Sequence, residues 1–281
     1  MQIPSEILDL LNPSVRQALS ELCGNAEEIR LRTGCRPAVF RQGKQICLSQ
    51  CGLIRPEELQ RLVEAACRHS CYAMQDCIRC GYIPLAGGHR IGLCGLGAVR
   101  DGQIYSLREF SSVCIRIAHD IRPNTIPSIS GSTILLGPPG CGKTTLLRAC
   151  IRTLSSRCQR VGVADERGEI AAYYGGLAQF DLGDHTDTLT GIPKAEAMLM
   201  LLRTMNPQWI AADEITREQD ALAVEQCAYC GIRLLVTAHA SSREELDLRP
   251  VYRRLMQLGI FEKLIVMRPD QSFTEETLRY A

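Results

Sequence analysis

Residues 137–145 read G-P-P-G-C-G-K-T-T and carry the spacing G-x-x-x-x-G-K-T. That spacing wraps a phosphate chain in backbone N–H groups, so the loop must turn tightly and lie close to its ligand, where a Cβ would obstruct. Gly137, Gly140 and Gly142 supply that freedom, and Pro138, Pro139 and Cys141 contribute backbone. The Lys143 ammonium suits the outer phosphates of a nucleotide, and the Thr144 hydroxyl suits Mg²⁺, with Thr145 beside it. The expected ligands are therefore ATP and Mg²⁺.

Three further stretches place charged or hydroxylic residues just after apolar runs. Q-W-I-A-A-D-E (residues 208–214) delivers Asp213, expected to orient Mg²⁺, and Glu214, expected to polarise an attacking water. V-G-V-A-D-E-R-G-E-I (residues 161–170) delivers Asp165 toward the metal, with Glu166 and Glu169 as further acids close behind. L-L-V-T-A-H-A (residues 234–240) ends with Thr237 and His239, both placed to sense a terminal phosphate.

Such groups work together only if their carrier strands lie side by side. From Ser132 onward, short apolar runs alternate with helical periodicity, which predicts a parallel sheet covered by helices. Strands are expected at 132–136, 160–165, 208–212, 232–237 and 262–267. Helices are expected at 143–155, 194–204, 217–230, 242–247 and 250–258. The first part reads differently. Apolar spacing over residues 1–24, broken at Asn12-Pro13, predicts two short helices. Strands follow around Gly34, then a helix from Pro56 to about His69, a glycine-rich hairpin at Gly87-Gly88 and an alternating strand at 111–117. The predicted architecture is α/β: a smaller α+β N-terminal domain (1–120), a Pro/Ser linker (121–131) and a mostly parallel-sheet P-loop domain with helices on both faces (132–281).

Composition narrows the class of function. A net charge of +1 and the lack of a basic stripe argue against nucleic acid as partner. No apolar run approaches the ~18 residues that span a bilayer. The opening residues lack the basic-then-apolar order of a secretory leader, so a cytoplasmic protein with mostly reduced cysteines is expected. Cys67, Cys71, Cys77 and Cys80 have spacings that suit structural zinc, but the 15 cysteines are scattered along the chain, which favours simple abundance.

The order of the loop, the acidic box at 165–169, L-R-T-M-N-P-Q-W-I-A-A-D-E and T-A-H-A resembles that of type II and type IV secretion ATPases. E-E-I-R-L-R-T-G-C-R-P, G-G-H-R-I-G-L-C-G, C-I-R-I-A-H-D-I and R-P-V-Y-R-R-L resemble a narrower group, the stage III sporulation protein AA family. The resemblance implies a RecA-like ATPase, a homo-hexamer, driving a secretion-like channel between mother cell and forespore. Membrane-embedded partners would then hold it at the mother-cell side of the forespore membrane. The acidic box maps to Asp165, Glu166 and Glu169, and the histidine box to His239. Secretion ATPases often carry Gly-Glu where this chain has Asp213-Glu214, so a direct metal role for Asp213 is expected. Ring ATPases of this type draw arginines from the N-terminal domain or a neighbouring subunit, for which Arg108, Arg116 and Arg203 are the candidates. Two other readings stay open at this stage: a nucleic-acid-translocating ATPase, and an ATP-binding platform with little turnover.

Overall fold

A computed structural model describes residues 3–22, 26–41, 43–67, 74–100 and 103–279. The chain forms two compact units, Met1–His119 and Asp120–Ala281, each with its own sheet.

The first unit opens with α1 (Ser5–Asp9) and α2 (Pro13–Ser20). They separate because the Asn12 side chain accepts from the Val15 N–H at 2.8 Å and Pro13 takes the first helical position, where no N–H is needed. Then come β1 (Glu28–Arg32), β2 (Ala38–Arg41), β3 (Lys44–Cys47), α3 (Pro56–Ala66), α4 (Gln75–Arg79), β4 (Tyr82–Pro84), β5 (Arg90–Arg100) and β6 (Gln103–Arg116). The six strands are antiparallel in the order β3-β2-β1-β6-β5-β4. Ile29, Leu31, Ile91, Val113 and Ile115 turn one face onto α3, which presents Leu59, Leu62, Val63 and Ala66.

Two sequence expectations shift here. The strand expected at 111–117 is the end of the much longer β6, which pairs with β5 as a hairpin. Its first half gave no signal because Ile104 and Tyr105 are exposed, so no alternation with a core arises. The helix expected to reach His69 is α3, described to Ala66 with Cys67 as its cap; His69 and Cys71 lie outside the described residues.

The second unit contains β7 (Thr133–Leu136), α5 (Lys143–Ser156), β8 (Val161–Asp165), β9 (Thr186–Thr190), α6 (Lys194–Thr204), β10 (Trp209–Ala212), α7 (Glu218–Tyr229) and β11 (Arg233–Ala238). It closes with α8 (Arg243–Leu248), α9 (Pro250–Gln257), β12 (Lys263–Met267) and β13 (Phe273–Thr277). The strand order is β13-β12-β7-β11-β10-β8-β9, parallel except for β12 with β13. The inner strands β7, β8, β10 and β11 are mostly apolar because both of their faces are covered, whereas the edge strands β9 and β13 are polar. Ile134, Leu136, Ile210, Ala212 and Val236 face α6, α7 and α9; Leu135, Val163, Trp209, Ala211 and Leu235 face α5. In such a sheet the carboxyl ends of β7, β11, β10 and β8 lie next to one another along one edge.

Candidate functional site: a glycine loop facing three strand ends

The chain leaves β7 at Leu136 and re-enters regular structure as α5 at Lys143. The intervening turn is shaped for glycine. Gly140 and Gly142 adopt left-handed φ of 78° and 93°. A Cβ on Gly137 would lie 2.5 Å from the Cys141 Sγ and 3.1 Å from the Met267 carbonyl oxygen, so the loop closes only without one. No side chain caps the first turn of α5, which leaves its N–H groups and the positive end of the helix for an anion. The Lys143 side chain is buried, and its amine donates to the Gly137 and Pro138 carbonyls at 2.8 Å each. It is thereby folded back along the loop. These features fit a phosphate chain, and the donor set around Thr144 and Asp213, a hydroxyl and a carboxylate, fits Mg²⁺.

Asp213 and Glu214 follow directly after β10. The Asp213 carboxylate accepts from the Thr144 hydroxyl at 2.7 Å on one oxygen and from the Thr237 hydroxyl on the other. Thr237 in turn accepts from the Glu214 N–H at 2.8 Å. One hydroxyl on β11 therefore registers both residues after β10. Glu214 sits in the left-handed region at φ 51°, which turns its carboxylate toward His239 and Arg167. His239 Nε2 lies 2.7 Å from one oxygen and the Arg167 guanidinium 3.2 Å from the other. Burial pushes the Glu214 carboxyl up. The His239 hydrogen bond and the charges of His239, Arg167 and Lys194 outweigh that and hold it below the usual carboxylate value. Glu214 is thus ionised at neutral pH, in the form that can accept a proton.

Asp165 is engaged by the backbone of its own loop. It is 2% exposed, and its two oxygens accept from the N–H groups of Glu169, Ile170 and Ala171 at 2.8–3.1 Å. The carboxylate pins the loop after β8, and in that arrangement a metal would have to compete with three backbone donors. Burial pushes its carboxyl up, against those three hydrogen bonds. Glu166 faces the Lys194 amine at 3.8 Å and the Arg217 guanidinium at 3.5 Å. Glu166 and Glu169 line a small cavity with Arg167, Lys194, Asp213 and Glu214.

The arginine candidates divide. Arg203 lies at the far end of α6 from Lys194, roughly 13 Å along the axis at 1.5 Å per residue. It therefore sits on the side of the sheet away from Glu214 in its own unit. Arg108 and Arg116 are on β6 of the first unit, where Arg116 pairs with Glu28 at 3.3 Å. Sequence reasoning missed Arg167 and Lys194, both in contact with the residues after β10. The only available signal was position: Arg167 lies inside the acidic box, and Lys194 opens a helix just ahead of β10.

The two sheets with their interleaved helices form a mixed α/β fold that recurs in an ATPase and in a pilus motor of known structure. The Legionella pneumophila ATPase DotB superposes with a TM-score of 0.61 at 16% identity, over 98% of this chain and 80% of its own. The pilus retraction motor PilT, solved with bound ADP, gives 0.58 at 17% identity, over 99% and 83%. At such identities the likeness is one of fold. Sequence carries the relationship further. The family described as "Sporulation stage III, protein AA" matches residues 1–276. Stage III sporulation protein AA of Bacillus subtilis (strain 168) is 32% identical over 277 residues, covering 93% of this chain and 90% of that protein. The chain belongs to the sporulation stage III protein AA family.

Proposed function

We propose that this chain is a Mg²⁺-dependent ATP hydrolase whose second unit is a RecA-like P-loop domain. The observation that carries the reading is the 2.7 Å bond between Thr144, at the start of α5, and Asp213, at the end of β10. It brings a glycine loop and an acidic strand end together around one small volume. The loop N–H groups and Lys143 would bind the phosphates, while Thr144 and Asp213 would hold Mg²⁺. The ion would neutralise phosphate charge. Glu214 would take the proton of an attacking water, with His239 orienting its carboxylate. Asp165 would keep the acidic loop in place, and Glu166 and Glu169 would set the charge beside Glu214. Arg116 or Arg108 of a neighbouring subunit would add positive charge at the phosphates.

By family and fold, the hydrolase would act as a homo-hexameric motor of a secretion-like complex between mother cell and forespore. Membrane-embedded partners would anchor it on the cytoplasmic side; no helix among the described residues is long and apolar enough to cross a membrane. ATP turnover by the purified chain, measured against protein concentration with mass recorded alongside, tests this reading. A Mg²⁺-dependent rate that rises cooperatively as a hexamer mass develops is expected. A chain that binds ATP without turnover at any concentration would instead be a platform, and stimulation by single-stranded nucleic acid would indicate a translocase.

A further inference from the structure

Glu214 occupies a left-handed φ of 51°, a conformation that costs a non-glycine residue energy and persists only where its surroundings impose it. The backbone around it is held group by group. The Glu214 N–H donates to the Thr237 hydroxyl at 2.8 Å and the Ile215 N–H to the Thr237 carbonyl at 3.0 Å. The Ile215 carbonyl accepts from the Tyr252 hydroxyl, and the Thr216 and Arg217 N–H groups donate to Asp220 at 3.1 and 3.0 Å. The carbonyls of Asp213 and Glu214 are served by one ammonium. The Lys194 amine donates to the Asp213 oxygen at 2.7 Å and to the Glu214 oxygen at closer range. The same nitrogen lies 3.8 Å from a Glu166 carboxylate oxygen. The Lys194 side chain is 9% exposed, so its ammonium is largely shielded from bulk water.

We infer that Lys194 is a positioning residue for hydrolysis: its buried ammonium clamps the carbonyls of Asp213 and Glu214 and so aims both carboxylates at the site. The inference rests on the hydrolase reading above. A buried lysine ordinarily needs a carboxylate at contact distance. Here the nearest is 3.8 Å away, and the closer partners are main-chain oxygens at the turn that carries the acids. The placement also links three elements. Lys194 begins α6, Glu166 follows β8 and the clamped carbonyls follow β10. Removing the ammonium leaves two part-buried carbonyls without that donor and loosens a strained turn, while the phosphate loop and Lys143 keep their own bonds.

The test uses the full chain, with Mg·ATP turnover and ADP affinity measured for the parent, Lys194→Met, Lys194→Arg and Glu214→Gln. Methionine keeps an unbranched stem and removes the donors. We expect kcat to fall on the order of 10²-fold in Lys194→Met, the loss typical of a catalytic group displaced by about 1 Å. ADP affinity should stay within about threefold, because the phosphate loop is untouched. Lys194→Arg retains donors and should recover about a tenth of the parental rate. A Lys194→Met rate within about threefold of the parent would overturn the inference. So would a joint loss of ADP affinity and turnover, or failure of Lys194→Arg to exceed Lys194→Met, since each marks a purely architectural lysine. If Lys194→Met does not fold, Lys194→Arg decides alone: a roughly tenfold lower kcat at parental ADP affinity supports the clamp, and a parental kcat refutes it. Glu214→Gln separates the two levels. Loss of turnover there with none in Lys194→Met refutes the clamp alone, whereas a parent without turnover removes the hydrolase reading and the clamp with it.

Discussion

Thr237→Val probes the hydroxyl that ties the two acids to the sheet. Thr237 is fully buried; its hydroxyl donates to Asp213 and accepts from the Glu214 N–H at 2.8 Å. Valine keeps the branched shape and removes both bonds. A buried group left without its partner costs about 1–3 kcal/mol, at the upper end when it is charged. One N–H and one carboxylate oxygen are orphaned together, so a loss of about 2–4 kcal/mol follows. Trp209 is the chain's single tryptophan and lies buried on β10, four residues before Asp213, so its fluorescence reports this unit's unfolding. With a urea slope of about 2 kcal/mol per molar, the midpoint should drop by roughly 1–2 M. Thr237→Ser keeps the hydroxyl and loses one methyl, about 1 kcal/mol, so its midpoint should fall between the two. A Thr237→Val midpoint equal to the parent, or below it by less than that of Thr237→Ser, would refute the reasoning.

Three other outcomes follow from the same contacts. Glu214→Gln should bind ATP as the parent does and lose about 10²–10⁴-fold in turnover, the usual worth of a general base; steady-state rates beside titration calorimetry check it. Burial pushes the Cys150 and Cys227 thiols up to about 12, so both should resist alkylation at pH 8 in the folded chain while the exposed Cys35, Cys47, Cys94 and Cys230 react. Mass spectrometry after labelling decides, and native labelling of Cys150 would contradict the fold. Burial pushes the Glu58 carboxyl up, but the Arg55 N–H, the Asn12 amide and the Arg55 charge outweigh it and hold it below its ordinary 4.5. A carboxyl lowered on folding stabilises above its unfolded value and loses that contribution as pH falls through the folded one. Glu58→Gln should therefore flatten the acid side of the first unit's thermal stability between pH 5 and 3, roughly the range a lowered carboxylate covers; an unchanged slope would contradict the pairing.

The parts legible in the sequence are those in which local pattern and tertiary role coincide. Ile134–Leu136 followed by glycines, and Trp209–Ala212 followed by Asp213-Glu214, are buried strands that end in functional groups, so the apolar run and its sharp stop mark both at once. The interior helices fell close to their expected limits for the same reason: α6 spans Lys194–Thr204 and α5 spans Lys143–Ser156. The edge strands β9, T-D-T-L-T, and β13, F-T-E-E-T, were not legible because an edge strand is half solvated and carries no apolar run. Lys194 was not legible because its role is played through main-chain oxygens of a turn that packing brings to it; in sequence it is a charged residue opening an amphipathic helix. Asp165 was legible as an acidic strand end but not as a loop staple, since its three N–H partners exist only once the chain turns back at 169–171.

Titration of Mg·ATP into the purified chain, parent and Lys143→Ala side by side, asks most directly whether the glycine loop and the ends of β10 and β11 form one nucleotide site. One ATP per chain in the parent is the predicted result. The affinity should weaken on the order of 10²-fold or more in Lys143→Ala, which removes charge-assisted bonds to the phosphates. A parent that takes up no ATP, or a Lys143→Ala variant that binds it equally well, would contradict that site.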